Sequence, residues 1–371
     1  MNEREAYIAL NMMESVGPVR VRAMATALGS LQAIFTAGVS ELMAAEGIGP
    51  EVARSLASQR SAVDPGRELK KAESLGFRVL TPADAEYPEP LRAIHGPPLA
   101  LYVRGALDPH DRHAVAVVGT RHATHYGLTV ADRLGYQLAK VGFAVVSGLA
   151  RGIDTAAHKG ALKGGGRTLA VLGSGLDCVY PPENQGLADE IAEHGAVLSE
   201  FPLGTEPDRV TFPVRNRIVS GLSMGVVVVE AGLGSGALHT ADDALEQGRA
   251  VFAVPGRIDT AASKGTHRLI KNGARLVDDV DDILQEFEFL IPPEKRKAAV
   301  LDARPAVQLS GDEQAVVRAL WEGALDVDAL TRKVSMKTAS VSSLLIGLEM
   351  KRVVRMLPGR MVELAEGIRN G

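Results

Sequence analysis

An aromatic side chain stands close to two arginines in the stretch Phe212-Pro-Val-Arg-Asn-Arg-Ile218. No acidic residue falls between Arg209 and Glu230, so this part of the chain carries unbalanced positive charge. A ring beside guanidinium groups is suited to binding a sugar-phosphate backbone whose bases are exposed. The surrounding sequence offers no paired acid and base, nucleophile triad or metal-ligand cluster, and we expect no metal and no cofactor. The pattern favours a surface that holds single-stranded nucleic acid over one that cuts it.

Glycine and small hydroxyl residues follow several of the predicted strands. In an open α/β sheet the carboxyl ends of the strands meet at one edge, where ligands gather. Glycine lets the backbone approach an anion, the following helix presents free N–H groups, and Arg121 and Arg151 add charge. One such turn alone is more often a tight strand-to-helix connection, but their number predicts an anion-binding rim. The turns are Gly119–Arg121, Ser147–Asp154, Gly173–Gly175, Glu230–Gly232 and Gly234–Gly236.

These turns lack the common nucleotide-binding fingerprints. The loop after Thr168–Leu172 has no third glycine of a dinucleotide fingerprint, and no Gly-x-x-x-x-Gly-Lys-Ser/Thr sequence occurs. His158, His239 and His267 fall on separate predicted helices without the spacing typical of zinc ligands, which favours surface or packing roles. Asp154 could serve as a catalytic acid, but such a residue more often holds an arginine or caps a helix.

Length and composition limit the class of protein. At 371 residues, two or three domains are expected. The formal net charge of −4 excludes a basic field over the whole molecule, so any anion-binding surface must be local. The single cysteine, Cys178, excludes an internal disulfide and fits a reducing compartment. The first residues lack the apolar core of a signal peptide, and the apolar runs are too short to span a bilayer, so we expect a cytoplasmic protein.

Strand and helix patterns alternate from Ala114 to about Phe287. The strands are mostly continuous apolar runs, as expected where helices cover both faces of a sheet. The pattern predicts an α/β fold with an extended Rossmann-like, doubly wound, mostly parallel sheet. The predicted strands are Ala114–Val118, Ala144–Ser147, Thr168–Leu172, Ala196–Glu200, Val226–Glu230, Val251–Val254 and Arg275–Val277, with Phe77–Leu80 as a further short strand.

Smaller regions flank the sheet domain, which we place at residues 66–290 with an N-terminal connecting segment. Residues 1–65 are predicted to be short helices with glycine-containing turns at Val16–Arg22 and Gly47–Glu51. The second turn has the spacing of a helix-hairpin-helix, whose backbone N–H groups meet a phosphate, but a bundle that uses the hairpin only for packing is equally favoured. Residues 291–309 mix proline and charge without periodicity and are predicted to be a linker.

Residues 310–371 have the spacing of a winged-helix domain. We expect three helices and a hairpin, at Asp312–Trp321, Val327–Val334, Thr338–Arg352, Val353–Leu357 and Met361–Leu364. Basic residues without an intervening acid make this domain a candidate for contact with duplex DNA, although a solvated basic edge or a protein-docking face is slightly favoured. These residues are Lys351, Arg352, Arg355 and Arg360.

An ordered series of motifs runs through the sheet domain, at Val117–Arg121, Ser147–His158, Leu172–Asp177, Tyr180–Asn184, Ser199–Pro202, Phe212–Arg217, Val229–Ala231 and Val254–Gly256. The series resembles the DprA/Smf family of DNA-processing proteins, densely over about residues 110–290. The flanking modules, a sterile-alpha-motif-like N-terminal domain and a winged helix, also match the layout of that family.

The resemblance implies a homodimeric single-stranded DNA-binding protein that is not an enzyme. Such proteins protect incoming DNA during natural transformation and help to load the RecA recombinase onto it. Ala237 departs from the serine that is usual in the family and lacks one hydroxyl. Carried over by position, the DNA site falls on Gly119, Thr120, Arg121, Ser147, Gly148, Arg151, Phe212, Arg215, Asn216 and Arg217. The dimer contact falls on Lys264, His267, Leu269, Ile270 and Leu276.

A competing interpretation is an enzyme, a Rossmann-like nucleotide-processing protein related to lysine-decarboxylase-like phosphoribohydrolases. Those enzymes resemble this chain over Val226–Ala244 but carry Pro-Gly-Gly-x-Gly-Thr-x-x-Glu. The equivalent stretch here lacks the double glycine and has Asp242 and Asp243 near the position of the acid. The DNA-binding interpretation is therefore favoured.

Overall fold

The computed structural model describes residues 1–287, 309–321, 323–350, 353–357 and 359–364. The chain divides into two units, Met1–Val300 and Leu301–Gly371. Residues 291–308 of the predicted linker lie outside the described residues, as do Lys351 and Arg352 of the predicted basic edge.

One mixed sheet organises the first unit. Its strands are β1 (Arg78–Leu80), β2 (Leu101–Gly105), β3 (Ala114–Val118), β4 (Ala144–Ser147), β5 (Thr168–Val171), β6 (Ala196–Ser199), β7 (Gly225–Val228), β8 (Ala250–Ala253) and β9 (Arg275–Leu276). Within the described residues their order is β1-β2-β6-β5-β4-β3-β7-β8-β9. In this order, every neighbouring pair of strands from β6 across the sheet to β9 is parallel. Strand β2 runs antiparallel to both of its neighbours, β1 and β6. The predicted mostly parallel sheet is confirmed, and β2 is an addition that the sequence patterns did not predict.

Helices cover both faces of this sheet, because alternate strand residues face two different cores. On β3, Ala116 packs in one core with Leu238, whereas Val117 packs in the other core with Leu134. Burial on both faces explains the continuous apolar runs. The helices of this unit are α1 (Glu3–Asn11), α2 (Pro18–Leu28), α3 (Ala33–Thr36), α4 (Val39–Leu42), α5 (Pro50–Gln59), α6 (Pro65–Ser74), α7 (Glu89–Arg92), α8 (His125–Val141), α9 (Ile153–Lys163), α10 (Gln185–His194), α11 (Thr211–Gly221), α12 (Gly236–Glu246), α13 (Lys264–Lys271) and α14 (Val280–Glu286).

The N-terminal helices α1 to α5 enclose an apolar cluster of their own and also pack on the sheet. Met24 and Leu56 are buried within that cluster. Ile8 of α1 instead joins a cluster that contains Tyr102 of β2. The side-chain amide of Asn11 donates a 2.9 Å hydrogen bond to the Glu200 carbonyl oxygen, just after β6. The helical region predicted at residues 1–65 therefore packs against the sheet and is hydrogen-bonded to it.

The second unit has the expected winged-helix elements. Helices α15 (Gly311–Ala319), α16 (Val327–Val334) and α17 (Thr338–Met350) pack around a shared apolar cluster. Strands β10 (Leu325–Asp326), β11 (Val354–Leu357) and β12 (Met361–Leu364) form an antiparallel sheet in the order β10-β12-β11. In the described ranges of both units, the helices are too short or too polar to cross a membrane.

Helices α8 and α9 approach so closely that only glycine fits at their contact. A Cβ atom on Gly135 of α8 would collide with the carbonyl oxygen of Ala157, and one on Gly160 of α9 would collide with that of Asp132. Because α8 follows β3 and α9 follows β4, both helices begin at the same end of the sheet, and this contact packs them side by side.

We expect Gly160→Ala to lower the free energy of unfolding by about 1–3 kcal/mol, because the added methyl group overpacks the contact between the two helices. Gly186→Ala is the matched control, since Gly186 lies in α10 with no atom within 4 Å of its added Cβ. The control should be neutral or stabilising by up to about 1 kcal/mol. Urea denaturation of both variants decides, and equal stability of the two would contradict the close contact.

Candidate nucleic-acid interface

A cleft of about 420 Å³ opens at the carboxyl ends of β3, β4 and β7. The direction of strand addition reverses here, because β4 to β6 lie on one side of β3 and β7 to β9 lie on the other. Open α/β sheets bind ligands at such a reversal. The predicted site residues that line the cleft are Gly119, Thr120, Arg121, Gly148, Phe212, Arg215 and Asn216.

Four side chains form a continuous row along one edge of this cleft, which we call the arginine–aromatic row: Arg121, Phe212, Tyr180 and Arg151. The Arg121 guanidinium carbon lies 4.6 Å from the centre of the Phe212 ring. The Phe212 and Tyr180 ring centres are 5.9 Å apart with an interplanar angle of 46°. The Arg151 guanidinium carbon lies 5.8 Å from the centre of the Tyr180 ring. Both rings are half-buried and both arginines are exposed, so the row presents stacking surfaces and positive charge together.

The two arginines of the row differ in how their charge is balanced. Among the described residues, Arg121 forms no ion pair with an acidic residue, and its guanidinium lies over the Phe212 ring in a cation–π interaction. Arg151 instead forms a two-point ion pair with Glu183, through Nε to Oε1 and Nη2 to Oε2. This contact holds the pKa of Glu183 below its ordinary value. The row therefore contains one arginine without an ion-pair partner among the described residues, and one arginine that already pairs with an acidic residue of the protein.

Phe212 lies in the first turn of helix α11, which contains the whole stretch Phe212–Ile218. The ring packs against the backbone after β5, where a Cβ atom on Gly173 would come within 2.7 Å of Phe212 Cδ1. The Thr211 hydroxyl donates a 2.5 Å hydrogen bond to the Gly173 carbonyl oxygen. These contacts fix the ring at the mouth of the cleft.

Arg215, one turn further along α11, lies in the floor of the cleft and is almost completely withdrawn from solvent. Only 5% of the residue is exposed, and its Nη1 donates to the Val171 carbonyl oxygen at the end of β5. Its guanidinium occupies the space where a Cβ atom of Gly148 would lie. Burial lowers the pKa of Arg215 to about 10, against the attraction of Asp154. Burial also raises the pKa of Asp154, and Arg215 opposes that rise.

Asp154 also holds the loop that forms the floor of the cleft. Its Oδ2 accepts the backbone N–H groups of Gly148 at 3.1 Å and Ala150 at 3.4 Å. Between them Leu149 is fully buried with φ of 57°, a left-handed conformation that costs about 1–3 kcal/mol in a residue other than glycine. Asn184 donates a 2.8 Å hydrogen bond to the Leu149 carbonyl oxygen and helps to hold that conformation.

Arg217 is committed to a buried ion pair. Its Nη1 and Nη2 each lie 2.6 Å from an oxygen of Glu200, and its Nε donates to the Gly96 carbonyl oxygen at 3.1 Å. The two charged side chains are 16% and 8% exposed, respectively. The predicted site residue Ser147 is also withdrawn, since its hydroxyl is buried and donates to the Val117 carbonyl oxygen at 2.7 Å. The structure does not bring the Arg217 and Ser147 side chains into the cleft.

An acidic side chain already lies at the start of the helix that follows β3, where the Thr124 hydroxyl is the N-cap. Glu230, just after β7, is buried and accepts the Thr124 backbone N–H at 2.9 Å and the Thr124 hydroxyl at 2.6 Å. This carboxylate supplies negative charge at the start of α8, where the sequence predicted free N–H groups. The α12 start is capped by the Ser235 hydroxyl, and Ala237 is buried in the core.

The candidate dimer residues occupy different environments on and around α13. The Leu269 side chain is buried in the core, and Ile270 packs partly against it. Lys264 donates to the Ile258 carbonyl oxygen, and His267 Nε2 is 3.0 Å from the Gly256 carbonyl oxygen. Leu276 lies on β9, an edge strand of the described sheet, and is 46% exposed.

The remaining candidate residues, Arg355, Arg360 and His158, give less support for a binding site. In the winged helix Arg355 and Arg360 are both exposed, and Arg355 pairs with Glu363 at 2.6 Å. His158 is buried with Nδ1 2.7 Å from the Thr168 hydroxyl oxygen. Across the described ranges, no group of three or more His, Cys, Asp and Glu residues is arranged to hold a metal ion.

Sequence reasoning missed three members of the site, Tyr180, Glu183 and Asn184. All three belong to the motif Tyr180–Asn184, which carried part of the family resemblance but was given no role. Nothing in their local spacing indicates that one side chain joins a ring, another pairs an arginine and the third holds a loop. The available signal was an aromatic residue followed by a proline, in the segment after a strand that ends at the predicted binding edge.

Comparison with known protein families gives two matches along this chain. A family model for DNA recombination-mediator protein A matches residues 78–288. A model for the DprA winged helix domain matches residues 301–360. Together they cover the sheet of the first unit, without the N-terminal helices, and most of the C-terminal unit.

Individual relatives agree with these matches. The protein Smf of Synechocystis sp. is 34% identical over 390 aligned positions, which cover 96% of this chain and 98% of that protein. DNA processing protein DprA of Streptococcus pneumoniae is 46% identical over 223 positions, covering 60% of this chain and 77% of that protein.

Solved structures show the same relationship. The X-ray structure of DprA from Streptococcus pneumoniae matches with a TM-score of 0.67 and 34% identity, over 77% of this chain and 98% of that one. DNA processing protein A of Helicobacter pylori, whose structure concerns its single-stranded DNA binding mode, matches with a TM-score of 0.53 and 30% identity, over 58% of this chain and 97% of that one. Because a family model covers more than half of the chain and these relatives extend the match to its full length, the chain belongs to the DprA/Smf family of DNA recombination-mediator proteins.

Proposed function

We propose that the cleft binds single-stranded DNA and that the arginine–aromatic row makes the principal contact. The observation that carries the proposal is the row itself, in which rings and guanidinium groups follow one another at spacings of 4.6, 5.9 and 5.8 Å. Stacking on an aromatic ring tolerates any base, and cations beside it meet the phosphates. The binding mode studied in the Helicobacter pylori relative supports the same ligand for this chain.

The individual residues have different proposed roles. Arg121 and Arg151 meet phosphates, and Phe212 takes a base. Gly119 and Gly148 line the cleft and are proposed to contact the strand through their backbone, while Ile153 and Arg215 fill the space that their side chains would need. The polar groups of Thr120 and Asn216 line the same cleft and are proposed as further contacts. Ser147, Arg215 and Arg217 act from beneath by holding the elements that carry the contacts.

Binding rather than catalysis suits the acidic groups of the site. The carboxylates of Asp154 and Glu230 both accept hydrogen bonds from neighbouring backbone N–H groups. A general acid or base needs an oxygen that faces the substrate. We therefore propose that the protein is not an enzyme and that phosphoribohydrolase chemistry is not its function.

The wider role proposed for the protein follows from its family. We propose that it protects incoming DNA and promotes RecA loading in natural transformation and homologous recombination, as a cytoplasmic homodimer. The exposed edge strand β9, with Leu276 on it, supports a contact between two copies through the sheet unit. The exposed Arg360 keeps the winged helix a candidate for duplex DNA.

The proposal is tested by fluorescence anisotropy with a labelled single-stranded oligonucleotide and the matching duplex over a range of salt concentrations. We expect Arg121→Ala to weaken binding of the single strand and to reduce its salt slope by about 0.7, the value of one lost phosphate contact on single strands. Arg112→Ala removes an exposed arginine before the opposite end of β3 and should change neither quantity. Equal behaviour of the two variants would place the binding site elsewhere.

Glu183→Gln should have the opposite effect, since it removes the anion that occupies Arg151. We expect single-stranded DNA to bind about two- to fivefold more tightly, which is the scale of a surface ion pair. The salt slope should increase, because Arg151 becomes available to a phosphate. Glu193→Gln removes the same charge from the other end of α10 and serves as the control. Unchanged affinity of Glu183→Gln would show that Arg151 does not meet the DNA.

Arg217→Ala should act on stability first. It leaves the buried Glu200 carboxylate without its partner, and loss of one partner from a buried pair costs about 3–5 kcal/mol. Thermal melting and DNA binding are measured on the same preparation. We expect a lower melting temperature, with binding by the folded fraction reduced less than in Arg121→Ala. A variant of normal stability that fails to bind would give Arg217 a direct contact with DNA.

A further inference from the structure

Tyr180 occupies the centre of the row, yet neither its sequence context nor the family resemblance gave it a role. Its ring contacts Phe212 on one side and the Arg151 guanidinium on the other. Arg121, Phe212, Tyr180 and Arg151 all line one small recess at the edge of the cleft, and the half-buried Tyr180 ring keeps part of its surface exposed to solvent. We propose that Tyr180 is a second base-stacking residue and that the two rings take consecutive, unstacked nucleotides. This inference rests on the proposed function.

The spacing of the rings decides how bases can use them. A base inserted between two rings needs contact distances of about 3.5–4.0 Å on each of its faces, which requires ring centres roughly 7–8 Å apart. The observed separation is 5.9 Å. A base therefore does not enter between Phe212 and Tyr180, and each ring has to receive its own base.

The same spacing of the two rings favours a single strand over a duplex as the ligand. Successive bases in one strand of a B-form duplex rise by about 3.4 Å and lie nearly parallel. Rings 5.9 Å apart at an angle of 46° do not match two bases stacked in that way. A flexible single strand can spread its bases to this separation and angle, whereas a duplex would have to break its stacking and pairing. The row thus selects for strand flexibility without reading sequence.

Each ring is paired with its own arginine. Arg121 lies over Phe212 and Arg151 lies over Tyr180, so an incoming base has to displace the guanidinium from that ring face or stack on the guanidinium plane. In both cases each nucleotide has one ring and one cation beside it. Guanidinium planes themselves stack on bases, and the row can continue the stack beyond the rings. The repeated unit of ring and arginine supports a site for two adjacent nucleotides rather than for one.

The experiment compares Tyr180→Leu, Tyr180→Phe and Phe212→Leu in the full chain. Each is titrated with an oligothymidine strand and with an abasic strand of the same length and the same phosphates. Stacking requires a base, so Tyr180→Leu should weaken oligothymidine binding at least about fivefold while changing abasic binding less than about twofold. Tyr180→Phe keeps the ring and should bind like the unsubstituted chain. Tyr136→Leu is the matched control, since Tyr136 is a half-buried tyrosine with Lys140 over its ring, 5.5 Å from its centre, and does not line the cleft.

The possible outcomes are distinguishable. If Tyr180→Leu loses affinity equally for the oligothymidine and the abasic strand, Tyr180 has a structural role. If Tyr180→Leu loses no affinity for either strand while Phe212→Leu is still impaired, Phe212 is the stacking residue without Tyr180. Both results overturn this inference and leave the proposed function intact. Failure of the unsubstituted chain to prefer the single strand over the duplex would overturn the proposed function, and this inference with it. Melting temperatures of all variants identify any loss that comes from unfolding.

Discussion

The buried guanidinium of Arg215 is the constraint on which the cleft depends. Removing a charge from water costs on the order of several kcal/mol unless it finds partners, and here the Val171 carbonyl oxygen and the nearby Asp154 provide them. Because the guanidinium fills the space beside Gly148, a side chain at that position would displace it. Phe212 lies three residues before Arg215 on α11 and so projects from the same side of the helix. Anchoring Arg215 under the sheet edge therefore directs the Phe212 ring over it.

The sheet was predictable because most of its strands are buried on both faces, which leaves a continuous apolar signature. Ala114–Val118 and Ala144–Ser147 have the bounds that their sequence predicted. Strand β2 was missed because it follows a proline-rich segment and runs antiparallel between β1 and β6, outside the repeated order of strand, turn and helix. The winged helix was predictable for a different reason. Its helices enclose a small apolar core of their own, and the residues that face this core recur in the sequence at helical spacing.

The roles of the site residues were much less predictable than their location. Arg121, Arg215 and Arg217 were all predicted to contact the ligand, yet only Arg121 is exposed. What distinguishes them is a tertiary partner: Glu200, after β6, removes Arg217 from the surface. The contact of Tyr180 with Phe212 likewise exists only because α11 lies across the end of β5. Sequence spacing within one motif contains no information about such partners.

The ion pair between Arg151 and Glu183 has a consequence for which ligands the protein can retain. A free nucleotide brings one base and one phosphate group, and to reach Arg151 it has to displace an anion that is already in place. A polymer makes the same exchange while its neighbouring units remain attached elsewhere, so its effective concentration at Arg151 is high and the exchange is favoured. For the proposed DNA-binding function, Glu183 therefore sets a minimum valency, because a single nucleotide competes poorly for Arg151 with a chain of several nucleotides.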